Sequence, residues 1–94
     1  MNIRHYIGPE TELPHIHRHD VDETEVEEVL SSPGEDRPGR EGVRVAIGRT
    51  SNGRYLRVIY VPDPAPNSVF VITAYELQGK PLVTYHRRRR RRKK

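Results

Sequence analysis

The sequence predicts an α+β domain. An N-terminal helix or helices pack on a small twisted antiparallel sheet, and a disordered basic C-terminal tail follows. Three observations lead there. Apolar and polar side chains alternate over 43–61 on both sides of an Asn52-Gly53 pair, a hairpin pattern. Residues 22–30 carry apolar side chains at helical spacing behind an N-cap signature. Residues 87–94 are all Arg or Lys, with no apolar side chain to anchor them. A chain of 94 residues makes one small domain, residues 1–86, with the polybasic tail at 87–94.

Residues 2–7 read as a short strand with Ile3 and Ile7 inward, 8–14 as a loop bracketed by Pro9 and Pro14, and 15–19 as a short helix or a turn. In the helix at 22–30, Asp22 is the N-cap and Glu25 completes a capping box. Val21 and Val26 form the matching hydrophobic staple, and Val26, Val29 and Leu30 share one face. Glu23 and Glu25 favour the positive end of the helix dipole. Ser31-Ser32-Pro33-Gly34 stops the helix, and 35–42 is a loop or a weak edge strand. The hairpin strands are 42–50 and 54–62, which puts Arg49, Arg54 and Arg57 on one sheet within reach of one another. Residues 63–67 are a proline-rich connection. The β-branched and aromatic run at 68–76 reads as a central strand buried on both faces. A turn at 78–81 leads to 82–85, a last strand or the start of a short helix.

Composition narrows the function classes. Only 33% of residues are hydrophobic, with one Phe and no Trp, so the core is thin. The absence of cysteine excludes disulfides and thiolate zinc sites and fits a reducing compartment. No run approaches the ~20 apolar residues of a membrane span, and residues 1–8 lack the apolar stretch of a secretory signal. The expectation is a cytoplasmic protein that does not engage a membrane. The net charge of +4 conceals a segregation. The last eight residues are basic, which leaves nine basic against 13 acidic residues and −4 on the body. Six of the acids lie between Asp20 and Glu28, where the tail has a partner to fold against.

The order of elements carries short motifs: Arg18-His19 followed by Val21, the acidic helix ending in Val29-Leu30, Ala46-Ile47-Gly48-Arg49-Thr50, Asn52-Gly53-Arg54, the strand Tyr55-Leu56-Arg57-Val58-Ile59-Tyr60, and Val71-Ile72-Thr73-Ala74. Over residues 16–85 the chain resembles the BrnT-like toxins of bacterial type II toxin–antitoxin systems, within the RelE-like ribonuclease superfamily. The resemblance implies a small twisted sheet with helices on one side and metal-independent endoribonuclease activity on mRNA. It implies no cofactor and a cognate antitoxin as partner. A homodimer and a toxin–antitoxin hetero-oligomer both stay open.

Such cleavage proceeds by attack of the ribose 2′-OH on the adjacent phosphate. It needs cations for the phosphorane and two groups to move protons. Arg49 and Arg57 are the candidates for phosphate stabilisation. His19 is the candidate base or acid, histidine being the side chain type suited to proton transfer at neutral pH. Tyr75 is a second proton-transfer or base-stacking group. Arg54, His86, Arg87, Arg88, Arg89 and Arg90 are candidate RNA contacts, the arginines of the tail giving affinity without sequence preference. Each has a plainer alternative: Arg49 a solvated hairpin residue, Arg57 a partner for a carboxylate, His19 a packing histidine, Tyr75 a sheet aromatic. His15, His17 and His19 invite a metal reading, but without cysteine the expectation is no metal. A second function class also fits, a non-catalytic RNA- or protein-binding module that uses the sheet arginines and the tail.

Overall fold

The computed structural model describes residues 1–92. The chain runs β1 (Asn2–His5), a 3₁₀ helix (His15–His19), α1 (Glu23–Ser31), β2 (Glu35–Pro38), β3 (Arg44–Arg49), β4 (Tyr55–Pro62), β5 (Ser68–Glu76) and α2 (Gly79–Arg92). The strands form one five-stranded sheet in the order β1-β5-β4-β3-β2. Among the described residues no helix is long and apolar enough to cross a membrane.

Local signals built the middle of the chain. Asp22 accepts from the Glu25 amide at 2.8 Å, and the Glu25 carboxylate accepts from the Asp22 amide at 3.2 Å, a complete capping box. Val21, Val26, Val29 and Leu30 are buried with Ile16 against Ala46, Leu56, Val58, Tyr60, Val71 and Ala74. In the hairpin turn Gly53 adopts φ +88°, and its amide donates to the Thr50 carbonyl at 3.0 Å. Register across β3 and β4 follows the alternation, with Ile47 opposite Arg57 and Arg49 opposite Tyr55. The period of two sends Leu56 and Val58 into the core under α1 and sends Tyr55 and Arg57 to the opposite face.

The expected arrangement of helices on an antiparallel sheet needs three corrections. The sheet is mixed, because β1 lies parallel to β5 at one edge. A four-residue strand whose partner lies more than sixty positions away carries no local signal of its direction. Nor are the helices gathered at the N-terminus: β1 opens the chain, and the second helix closes it. The residues expected as a disordered tail continue α2 to Arg92. Leu82 and Tyr85 join Ile47, Leu77 and Tyr55 in a small second cluster on the face opposite α1. One turn further, Arg88 Nε donates to Glu35 Oε2 at 2.7 Å, and its Nη2 to Oε1 at 2.8 Å. Arginine is a good helix former, and this stripe supplies the anchor that an arginine run lacks alone. The tail therefore meets Glu35 on β2 rather than the acidic helix. Lys93 and Lys94 lie outside the described residues. A smaller correction concerns β5, whose outward side chains are half-buried; β4 is the central strand.

His5, on β1, is held partly buried with Nδ1 lacking a hydrogen-bond partner. Burial pushes its imidazole below the ordinary histidine value, against the pull of Glu23 and with the push of His17. The unfolded chain therefore binds the proton more readily, and stability is lost as pH falls below about 6.5 through the lower folded value. The melting temperature is expected to drop between pH 7.5 and pH 5, and His5→Gln is expected to shrink that drop. An unchanged pH profile in the variant would contradict the assignment.

Candidate functional site

The two cationic residues with candidate catalytic roles share the sheet face opposite α1. Arg57 stands between Ile47 on β3 and Tyr75 on β5, its direct cross-strand partners. Its Nη1 donates to the Tyr75 hydroxyl at 3.3 Å, and its guanidinium carbon lies 5.9 Å from the Tyr75 ring centroid. Arg57 Nε is buried without a partner. No carboxylate pairs with Arg57 among the described residues, so the partner it was expected to have as a plain sheet residue is a phenol instead.

His19 reaches this pair from the 3₁₀ helix. β1 pairs only with the first half of β5, from Ser68 to Val71. The 3₁₀ helix lies against β5, and the His19 ring meets the Tyr75 ring edge-on at 5.9 Å. His15 in turn meets His19 at 5.4 Å, and Tyr6 meets His15 at 5.9 Å. Asp20, in the left-handed region at φ 59°, ends the 3₁₀ helix directly after His19. Three of the four candidate catalytic residues, His19, Arg57 and Tyr75, are thus in one row.

Arg49 belongs to a neighbouring group. It is exposed at the end of β3 opposite Tyr55 and lines a cleft with Tyr85, His86 and Arg89 of α2. His86 stands edge-on to Tyr55 with centroids 4.8 Å apart, and Tyr85 lies 5.9 Å from Tyr55. Burial pushes the Tyr85 phenol up, so it stays protonated across the physiological range. Arg89 Nη1 donates to the Gly34 carbonyl at 2.6 Å. Two residues along β4, about 7 Å, separate Tyr55 from Arg57, which makes the two groups neighbours on one face.

Arg54 leaves that face. Its parity is that of Leu56, and it turns toward α1, so the expected cluster of Arg49, Arg54 and Arg57 splits. Arg54 Nη1 donates to both oxygens of Glu25, at 3.0 and 2.9 Å, and to the Asp20 carbonyl at 2.9 Å. Its Nε lies 3.5 Å from Glu76. Arg88 is likewise consumed by Glu35, a hydrogen-bonded pairing that holds its guanidinium firmly protonated. Arg87 and Arg90 are exposed on α2. The arginines therefore sort into two kinds. Arg4, Arg44 and Arg54 face Asp63, Asp36 and Glu25, and Arg37 and Arg88 share Glu35. Arg49, Arg57, Arg87, Arg89 and Arg90 form no ion pair among the described residues. Among the described residues no group of His, Asp and Glu is placed to hold a metal ion.

Two contributors went unseen in the sequence. Tyr55 was legible in principle, since the Asn52-Gly53 turn sets it opposite Arg49 and two residues from Arg57. In the sequence Gly34 signals only a helix stop. A Cβ there would stand 2.0 Å from the Tyr85 hydroxyl oxygen, so the glycine lets α2 seat its tyrosine against the β2 edge. Gly34→Ala is expected to cost about 1–3 kcal/mol and to loosen α2. Tyr85→Phe in the same chain is expected to restore much of it, because the clashing oxygen is gone. Urea unfolding of the three variants checks this.

The fold and this face define a small α+β domain that displays unpaired cations among rings. The chain belongs to the family described as domain of unknown function DUF4258, whose model matches residues 15–76. The matched span holds His19, Arg49, Arg57 and Tyr75, and the cleft residues of α2 follow it. No curated protein and no solved structure matches the chain.

Proposed function

We propose that this domain is a metal-independent endoribonuclease, the toxin of a bacterial toxin–antitoxin pair. One observation carries the reading: Arg57, half-buried with a partnerless Nε and no carboxylate among the described residues, sits directly beside the Tyr75 phenol, whose ring in turn meets the His19 imidazole. A cation kept unpaired at the cost of desolvation is matched to an anion that arrives later. A phosphodiester at Arg57 has its developing charge stabilised by the guanidinium. One of His19 and Tyr75 removes the 2′-OH proton. The 2′-oxygen bonds to phosphorus, the bond to the 5′-oxygen breaks, and the other group delivers a proton to that leaving oxygen. The products are a 2′,3′-cyclic phosphate and a 5′-hydroxyl, and the step balances without a metal ion or cofactor. The resemblance to BrnT-like toxins supports the same reaction, and mRNA as its substrate in the cell. Exposed Arg87 and Arg90 add phosphate contacts that do not depend on sequence. A cognate antitoxin that covers the sheet face opposite α1 would block RNA.

Induced expression in a bacterial host tests the biological half of the proposal. Wild type is expected to arrest growth, and His19→Ala/Arg57→Ala to relieve the arrest at equal protein levels. Equal arrest by the double variant, or none by folded wild type, contradicts it; the second result favours a binding module.

A further inference from the structure

The cleft between α2 and the edge formed by Gly34 and Arg49 has a distinct chemistry among the described residues. Arg49, Tyr55, Tyr85, His86 and Arg89 line it, and no carboxylate does. The cleft at the start of α1 contains an arginine too, but Asp20, Asp22 and Glu25 surround it, which repels anions. The basic cleft is an open groove of about 280 Å³, just below the usual range of ligand pockets. That size suits a single nucleotide rather than a run of them.

Its parts divide between the two halves of a nucleotide. Arg49 is exposed and unpaired, and Arg89 spends one donor on the Gly34 carbonyl, leaving further N–H groups of its guanidinium free. These suit a phosphate. His86 and Tyr55 both line the cleft, and their edge-on contact covers a face of only one of the two rings, which suits a base that stacks on the other. Part of the site is held in place by packing. Tyr85 is buried at its floor, and the Arg88–Glu35 pair clamps α2 beside it. A preformed site spends little of its binding energy on ordering side chains.

We infer that this cleft is a subsite for a single nucleotide of a single-stranded RNA, seating the phosphate on Arg49 and Arg89 and the base on Tyr55 and His86. The inference deepens the ribonuclease reading and rests on it only for its place beside Arg57. A base engaged by ring faces must be unstacked from a neighbour, so bases inside a duplex do not reach the site.

NMR titration of the full chain tests it, with the ring protons of Tyr55 and His86 as reporters. The probes are uridine and adenosine 5′-monophosphates, the matching nucleosides, inorganic phosphate and a short single-stranded oligoribonucleotide. The monophosphates are expected to shift the rings and to bind at least tenfold more tightly than nucleoside or phosphate. Arg49→Gln/Arg89→Gln is expected to weaken them at least tenfold, and the surface control Arg40→Gln to leave them unchanged. The oligoribonucleotide is expected to bind tighter than the monophosphate; equal affinity overturns the assignment to a strand. No ring shift, or shifts of equal affinity with phosphate alone, overturns the site. RNA cleavage with no nucleotide bound here overturns this inference and leaves the ribonuclease standing. Nucleotide binding without cleavage does the reverse.

Discussion

Arg57→Ala is expected to slow RNA cleavage about 10²–10³-fold, the usual loss when one donor to a developing oxyanion is removed, while the melting temperature stays level or rises. The second half separates a reacting group from a scaffold. Arg57 Nε is buried with no acceptor, and the side chain has only a 3.3 Å hydrogen bond to the Tyr75 hydroxyl. Removing a buried, unsatisfied donor relieves a desolvation penalty, so a functional arginine here is a stability liability. Arg57→Lys is expected to recover little activity, since a point charge does not reproduce the planar fork. A large fall in melting temperature for Arg57→Ala, with cleavage per folded molecule unchanged, would assign the residue to the sheet instead.

Arg54→Ala is expected to behave in the opposite way. Its stability loss is expected near 3 kcal/mol, in the range for breaking a buried ion pair, and RNA affinity per folded molecule stays unchanged. Arg54 joins four places: the hairpin turn it belongs to, the Glu25 carboxylate in the first turn of α1, the Asp20 carbonyl that precedes the helix, and Glu76 at the end of β5. Removing it leaves Glu25, whose side chain is 9% exposed, with the Asn52 amide at 3.3 Å and the Asp22 amide as donors but no cation. Arg54→Ala/Glu25→Ala is expected to recover part of the loss, because the orphaned charge is gone. Urea unfolding measures all three chains. A loss below about 1 kcal/mol, the range of surface pairs, would contradict the account.

These two arginines also show how much was legible in the sequence. The strand that bears Arg57, the turn before Arg54 and the helix that begins at Glu23 follow from local rules: period two, Asn-Gly, and a capping box. Parity along β4 separates odd from even positions, yet proximity to one turn groups Arg54 with Arg49 and Arg57 in the sequence. The partner that decides Arg54 is Glu25, twenty-nine residues away and placed by tertiary packing. Distance in sequence hid the rest as well. β1 finds β5 across the whole domain, and α2 forms because Tyr85 meets Gly34 and Arg88 meets Glu35. A run of arginines gives no hint that one of them has a buried acid waiting on an edge strand. His19 and Tyr75 were named separately, and their adjacency arises because the 3₁₀ helix lies against β5.

The central claim is chemical, so the most direct test is the cleavage itself. The purified chain is incubated with end-labelled single-stranded RNA in EDTA, beside Arg57→Ala at matched folded concentration, and the new termini are identified. The account predicts fragments from wild type ending in 2′,3′-cyclic phosphate and 5′-hydroxyl, and a rate lower by about 10²-fold or more in the variant. RNA that stays intact with folded wild type, or cleavage that Arg57→Ala performs equally well, contradicts it.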